Sequence, residues 1–416
     1  MKHFLTVQYL SFCVSTCLPT MNKFTLRFRK HHLFTFLLLC LSIVAGLLLC
    51  ETVLRFSFPN SNYIWPPHLK TGFRVHQNDM PGISGQSRFT INSLGIRGDE
   101  LAPSQTYRFL TIGGSTTECL YLDDSETWPY LLQQTLNENI PNQIFWVGNA
   151  GMSGKTTRHH LAAMQYLPLK EMRIDSIILL IGINDYSIRL SQDEDYDPNF
   201  LSKPDSMNDL LYETFTGGSY PDPNGPYIKK TAIWQMLKKF KRTVLRVGTQ
   251  DNIQDLYGKV YANWRQHRQQ AAEIRNELPD LSSALEEYAR NINKMIDIAR
   301  EKSIRLIFIT QPTIWKPGLP DELDALLWMG GVGNYQKDSG KVYYSVEALE
   351  RGMKKYNDTL LKICQERHVE SIDLAPMLDK DTTVFYDDVH FNKNGAQKVS
   401  RILSNYVLGL DLHYRR

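Results

Sequence analysis

Tyr107–Ile112 is a short β-branched and aromatic run that stops abruptly at Gly113-Gly114, with Ser115 directly after it. Such a run, bounded by glycines, reads as a buried strand feeding a tight turn. Ser115 then falls at the carboxyl end of the strand, where open α/β sheets bind their ligands. Two glycines let the backbone turn sharply and approach a substrate with no Cβ in the way. Taken alone, the pattern is equally that of a plain strand–helix connection with Ser115 as a helix cap. Three later stretches decide between these readings.

From Tyr107 onward strands and helices alternate. The spacing predicts strands at Tyr107–Ile112, Ile144–Val147, Ser176–Ile181, Ile304–Thr310 and Val369–Asp373. Between and after them it predicts helices at Ser125–Asn139, Thr156–Leu167, Leu281–Lys302, Val346–His368 and Lys393–Val407. Asp123, Asp124 and Ser125 are candidate caps for the first of these helices. Ser176–Ile181 is apolar after its first residue, as a central parallel strand should be. This alternation implies an α/β fold: a doubly wound, flavodoxin-like parallel five-stranded sheet flanked by helices. The pattern is broken between Asp185 and Pro279, a stretch too long for a structureless loop. It reads as a helical insertion spanning about 190–280. Within it Ile233–Val247 has helical spacing with Lys238, Lys239, Lys241, Arg242 and Arg246, most simply a solvated basic face.

Leu33–Cys50 carries no charge over 18 residues, the length a helix needs to cross a bilayer. Lys23, Arg27, Arg29 and Lys30 precede it and Glu51 follows, so the basic flank stays in the cytoplasm. No small-residue cleavage site follows, and Leu49 before Cys50 does not suit lipoprotein processing. The expected organisation is a basic cytoplasmic segment at 1–32, an uncleaved anchor at 33–50, a juxtamembrane segment at 51–106 and an α/β domain at 107–410. Residues 1–20 hold a second apolar patch, Phe4–Leu18, and Met21 opens a stretch that reads as a natural translation start. A net charge of +3 gives no argument for nucleic acid as a partner. The cysteines form no Cys-x-x-Cys pair and no zinc spacing, and Cys119 and Cys364 read as free thiols.

Four blocks each fall after a predicted strand: Gly113-Gly114-Ser115-Thr116, Gly148–Gly154, Gly182-Ile183-Asn184-Asp185 and Asp387-Asp388-Val389-His390-Phe391. They converge on one edge of the sheet. Acyl transfer needs a nucleophile, a base, a group that orients the base, and donors for the oxyanion. Ser115 suits the first role and His390 the second. A carboxylate three residues earlier suits the third, while Asn184 and the backbone N–H groups of Gly154 and Ser115 suit the fourth. Asp388 reads as a surface or turn-capping residue.

This combination resembles the SGNH (GDSL-type) serine hydrolases, in their membrane-anchored bacterial envelope form. The resemblance implies Ser115 as nucleophile, Asp387 and His390 as its Asp-x-x-His pair, and Gly154 and Asn184 as the oxyanion hole. The first block departs from the family's Gly-Asp-Ser-Leu, and Phe391 stands where proline is frequent. An α/β-hydrolase elbow fails because Thr117 occupies its final glycine position. No Gly-x-Gly-x-x-Gly follows the first strand, so no dinucleotide cofactor is expected. His159-His160 has no evident carboxylate partner, and no metal is expected.

The resemblance implies an extracytoplasmic serine esterase acting on acyl or acetyl esters, with an acylated glycan or lipid as substrate and the membrane as partner through the anchor. The alternatives are an acyltransferase that passes an acetyl group to a glycan hydroxyl and an inactive glycan-binding module. Trp234, Trp264, Trp315 and Trp328 are candidates for sugar stacking, although core packing is the commoner use. Nothing in the sequence sets the oligomeric state.

Overall fold

The computed structural model describes residues 23–57, 62–75, 79–203, 206–216, 220, 222–223, 225–237, 253–254 and 257–410. The chain divides into two units, residues 1–59 and 60–416.

In the first unit a single helix runs from Lys23 to Ser57, and its segment His32–Phe56 has a mean hydropathy of 2.8. It is long and apolar enough to span a membrane. It extends past the expected boundaries on both sides because nothing near Lys30 or Glu51 breaks a helix; no proline occurs between Lys23 and Pro59. Beyond the apolar run, Glu51 and Arg55 pair at 2.8 Å one turn apart.

In the second unit the strands are β1 (Lys70–Val75), β2 (Gly85–Thr90), β3 (Tyr107–Gly113), β4 (Phe145–Asn149), β5 (Ser176–Leu180), β6 (Ile253–Gln254), β7 (Glu273–Arg275), β8 (Arg305–Ile309), β9 (Val342–Tyr344) and β10 (Glu370–Ile372). The central sheet is five-stranded in the order β10-β8-β5-β3-β4, with every pairing parallel. Counted along the chain, its strands lie in the order 2-1-3-4-5, the flavodoxin-like doubly wound arrangement. All residues of β3, β4 and β5 are buried, which is why these strands read as unbroken apolar runs. The helices Trp128–Asn139 and Lys393–Leu408 pack together as one layer. Thr157–Tyr166, Ser282–Glu301 and Val346–Arg367 form the other. The strand order reverses between β3 and β5, so the crevice for a ligand lies outside their carboxyl ends.

Two segments differ from expectation. The helix expected from Ser125 begins at Trp128, because Thr127 caps it and Pro129 suits its first turn. Before it, Asp123 caps a separate 3-10 turn at Asp124–Glu126 through a capping box. The expected juxtamembrane segment, 51–106, holds more structure than its composition suggests among its described residues from 62 onward. β1 and β2 form an antiparallel pair, β6 adds to β1, and Phe73, Val75, Met80, Phe89 and Ile96 are buried in the core. Arg97 locks this strap to the turn that follows β3. Its guanidinium donates to the carbonyls of Glu118, Cys119 and Leu122 and pairs with Asp124 at 2.8 Å.

The interrupted stretch after β5 contains the helices Ile183–Gln192, Ser206–Thr214 and Tyr257–Gln269. The basic residues Lys238, Lys239, Lys241, Arg242 and Arg246, the patch Phe4–Leu18 and Met21 all lie outside the described residues. Cys119 and Cys364 are buried free thiols.

Candidate active site

Ser115 opens a one-turn helix, Ser115–Glu118, directly after β3. Gly114 allows a close approach there: a Cβ on it would lie 2.3 Å from Nδ2 of Asn184, which stands in the first turn of the helix after β5. His390 and Asp387 come from the loop after β10. An isolated bridge between Phe385 and Phe391, with Tyr386 N–H donating to the His390 carbonyl at 3.0 Å, closes that loop on itself.

The three side chains form one hydrogen-bonded line. His390 Nε2 lies 2.7 Å from Ser115 Oγ, and His390 Nδ1 lies 2.7 Å from Asp387 Oδ2. The other oxygen of Asp387 accepts the backbone N–H groups of Val389 and His390 at 3.0 and 2.9 Å. Burial favours the neutral carboxyl of Asp387, but His390, the Trp328 indole and Val389 outweigh it and hold the group below the ordinary carboxylate range. Burial likewise disfavours the imidazolium of His390. Asp387, Asp388 and Glu118 outweigh it and raise the histidine above its usual value.

On the opposite side of Ser115 stands the loop Gly151–Gly154. Gly154 is exposed and adopts φ +74, a conformation that favours glycine. The Asn184 amide donates one N–H to the Lys155 carbonyl at 2.9 Å, which leaves its second N–H for another acceptor. Asn149 ties this loop to the Ser115–Glu118 turn, donating to the Thr117 carbonyl at 2.8 Å and accepting from Gly151 N–H at 2.9 Å. Of the five residues singled out from the sequence, Ser115, His390 and Asp387 are joined by hydrogen bonds, Asn184 lies against Gly114, and Gly154 follows Ser153, which donates to Glu118 of the turn that Ser115 opens.

Residues 111–398 match the GDSL-like Lipase/Acylhydrolase family. The chain belongs to that family. This GDSL-like protein is accordingly a hydrolase acting on ester bonds. Among solved structures it is similar to Axe2, an acetylxylan esterase from Geobacillus stearothermophilus, at 14% identity over 75% of this chain and 99% of that one, with a TM-score of 0.39. It is also similar to LAE5, an alpha/beta hydrolase enzyme from the metagenome of Lake Arreo, at 14% identity over 74% and 98%, TM-score 0.39. A G-D-S-L family protein from Desulfitobacterium hafniense DCB-2 matches at 12% identity over 72% and 99%, TM-score 0.36. No curated protein matches the chain.

Several side chains of the GDSL-like site gave no sign in the sequence. Asp388, expected at the surface, is fully buried and accepts three hydrogen bonds, from the Trp315 indole and the backbones of Trp328 and Met329. Burial and then the neighbouring charge of Asp387 push its pKa up to about 6. Trp315 and Trp328, considered for sugar stacking, are 1% and 6% exposed and belong to the core. Trp264 packs on Trp328 with ring centroids 4.6 Å apart, and Trp234 is exposed. His159 does have a carboxylate partner, Glu213 at 3.0 Å, and its other ring nitrogen faces Thr156. Asp185 of the third block turns away from Ser115 and accepts from the backbone and hydroxyl of Thr157, which starts the Thr157–Tyr166 helix. A cavity of about 350 Å³ lined by Leu161, Leu210 and Ile298 includes none of the five site residues.

Proposed function

We propose that this protein is a membrane-anchored serine esterase whose catalytic unit faces away from the cytoplasm and cleaves acyl or acetyl esters, an acylated glycan or lipid among them. The observation that carries the proposal is the unbroken line from Ser115 Oγ through His390 to Asp387, two hydrogen bonds of 2.7 Å. In this reading Ser115 Oγ attacks the ester carbonyl carbon while His390 Nε2 takes the hydroxyl proton. The tetrahedral oxyanion is received by the N–H groups of Ser115 and Gly154 and by Nδ2 of Asn184, donors whose individual removal typically costs about two to three orders of magnitude in turnover. Its collapse breaks the ester C–O bond, and His390 returns its proton to the departing alkoxide. Water, deprotonated by His390, then attacks the acyl-enzyme and frees the acid and Ser115. Asp387 keeps Nδ1 protonated and stabilises the imidazolium throughout. The orientation follows from the basic residues ahead of the apolar helix.

The test is a substrate panel on the full-length protein in detergent: short-chain esters, long-chain lipids and acetylated polysaccharide, each with and without a glycan acceptor. Release of acetate or fatty acid that is insensitive to acceptor supports hydrolysis. Acetyl appearing on the acceptor instead replaces water by sugar in the last step. No turnover of any ester contradicts the proposal.

A further inference from the structure

The segment Leu326–Met329 lies far from Asp387 in sequence, yet it reaches the carboxylate that faces His390. The indole N–H of Trp328 donates to Oδ2 of Asp387 at 3.0 Å, the same oxygen that His390 Nδ1 approaches at 2.7 Å. The Trp328 ring lies parallel to the imidazole, 7° between planes with centroids 6.5 Å apart.

This placement is built, not incidental. Asp388 Oδ2 accepts the backbone N–H of Trp328 at 2.8 Å and of Met329 at 3.3 Å, and its Oδ1 accepts the Trp315 indole at 3.0 Å. Two buried arginines of the Tyr257–Gln269 helix hold the segment from the other side. Arg268 donates to the Met329 carbonyl at 2.8 Å. Arg265 donates to the Leu326 carbonyl at 3.2 Å and to the Tyr386 carbonyl, next to Asp387, at 3.1 Å. The insertion is therefore tied to the loop that bears Asp387 and His390.

We propose that Trp328 is a positioning residue of the ester-hydrolysing site, fixing the Asp387 carboxylate against His390, with Asp388 as the anchor that holds Trp328 there. The proposal rests on the reading of Asp387 and His390 as acid and base given above. A carboxylate that accepts only from the imidazole is free to rotate, whereas one held by an indole on the same oxygen and by Val389 and His390 backbones on the other keeps one orientation. The indole donor also drains charge from Oδ2 and weakens its hold on the imidazolium proton. The other ionisable groups that face His390 are Asp388 from its own loop, Glu118 from the nucleophile turn, and the phenols of Tyr261 and Tyr386.

The experiment compares Trp328→Phe with the parent protein, full-length in detergent, by the pH dependence of kcat and KM on a short-chain ester. A second variant places 3-benzothienylalanine at position 328, which keeps the ring shape and removes only the N–H. The expected result is a fall in kcat of about tenfold with KM little changed, as for loss of one hydrogen bond to a charged group. The acid limb of kcat should move to higher pH, because His390 then holds its proton more tightly. Folded Trp328 variants with kcat and acid limb unchanged would overturn the proposal, and a loss of stability alone would overturn it equally, leaving Trp328 a packing role and no more. Asp387→Asn separates the two layers: if it too is without effect, the underlying triad reading fails, and not only the role of Trp328.

Discussion

Oε2 of Glu118 accepts the backbone N–H of Ser153 at 2.6 Å and also its hydroxyl. The carboxylate belongs to the turn that begins with Ser115, and Ser153 precedes Gly154. One buried side chain thus sets the spacing between the proposed nucleophile and a proposed oxyanion donor. Its burial raises its pKa, an effect that Ser153 and Arg97 only partly offset. Glu118→Ala is expected to lower kcat about tenfold or more while KM changes little, because the oxyanion is bound chiefly in the transition state. Steady-state kinetics, with circular dichroism to check the fold, decides this. A proportionate rise in KM at constant kcat would place Glu118 in substrate binding instead.

The adjacent carboxylates should separate cleanly. Asp387→Asn is expected to keep the fold and lose about four orders of magnitude in kcat, the size of effect seen when an amide replaces a triad carboxylate. Asp388→Asn leaves Asp387 in place but weakens the anchor of Trp328. It should cost about 1–3 kcal/mol of stability, as for a buried donor left unmatched, with a far smaller loss of turnover. Thermal unfolding and kcat on the same preparations test both. A larger loss of kcat in Asp388→Asn would reverse the assignment of the acid.

The pH dependence has a definite sign. His390 acts as a base only when neutral, and its carboxylate neighbours raise its pKa above the ordinary value of 6.5. The acid limb of kcat/KM should therefore have its midpoint above pH 6.5, with activity lost as pH falls through it. The same raised pKa stabilises the fold at pH below the unfolded value, and that contribution fades as pH rises through the folded value. A midpoint at or below the ordinary imidazole value would show that Asp387 and His390 are not coupled in solution.

The central sheet was legible because its signal is local. Tyr107–Ile112 and Ser176–Ile181 are buried on both faces, so each announces itself without reference to any partner. Ser115 and Asn184 stand out in the sequence because each lies within a few residues of a strand end, and His390 because Asp387 stands three residues before it. Of the β1–β2 strap only a short strand at Arg88–Ile91 shows in the sequence, overlapping β2; the rest does not, because Lys70–Val75 and Gly85–Thr90 mix charged, polar and glycine residues and bury only part of one side. Trp328 is 59 residues from Asp387 along the chain, and nothing near either one reports the contact. Asp388 departs from expectation for the same reason: only the folding of Trp315 and Trp328 over it removes it from solvent. Glu118 gives no sign in the sequence, because its partner Ser153 lies on a different loop.

The orientation of the anchor is open to direct test. A reporter active only outside the cytoplasm, fused after Arg416, should be active, since the basic residues ahead of the apolar helix favour a cytoplasmic amino terminus. An inactive reporter, with a cytoplasmic one active at the same point, would reverse the proposed orientation.

The most direct measurement of the central claim is covalent labelling of the full-length protein by a fluorophosphonate, in parallel with hydrolysis of a short-chain ester. The account predicts a single adduct on Ser115, and in Ser115→Ala the loss of both the adduct and the turnover, with the fold retained. Labelling or full activity that survives Ser115→Ala would contradict it.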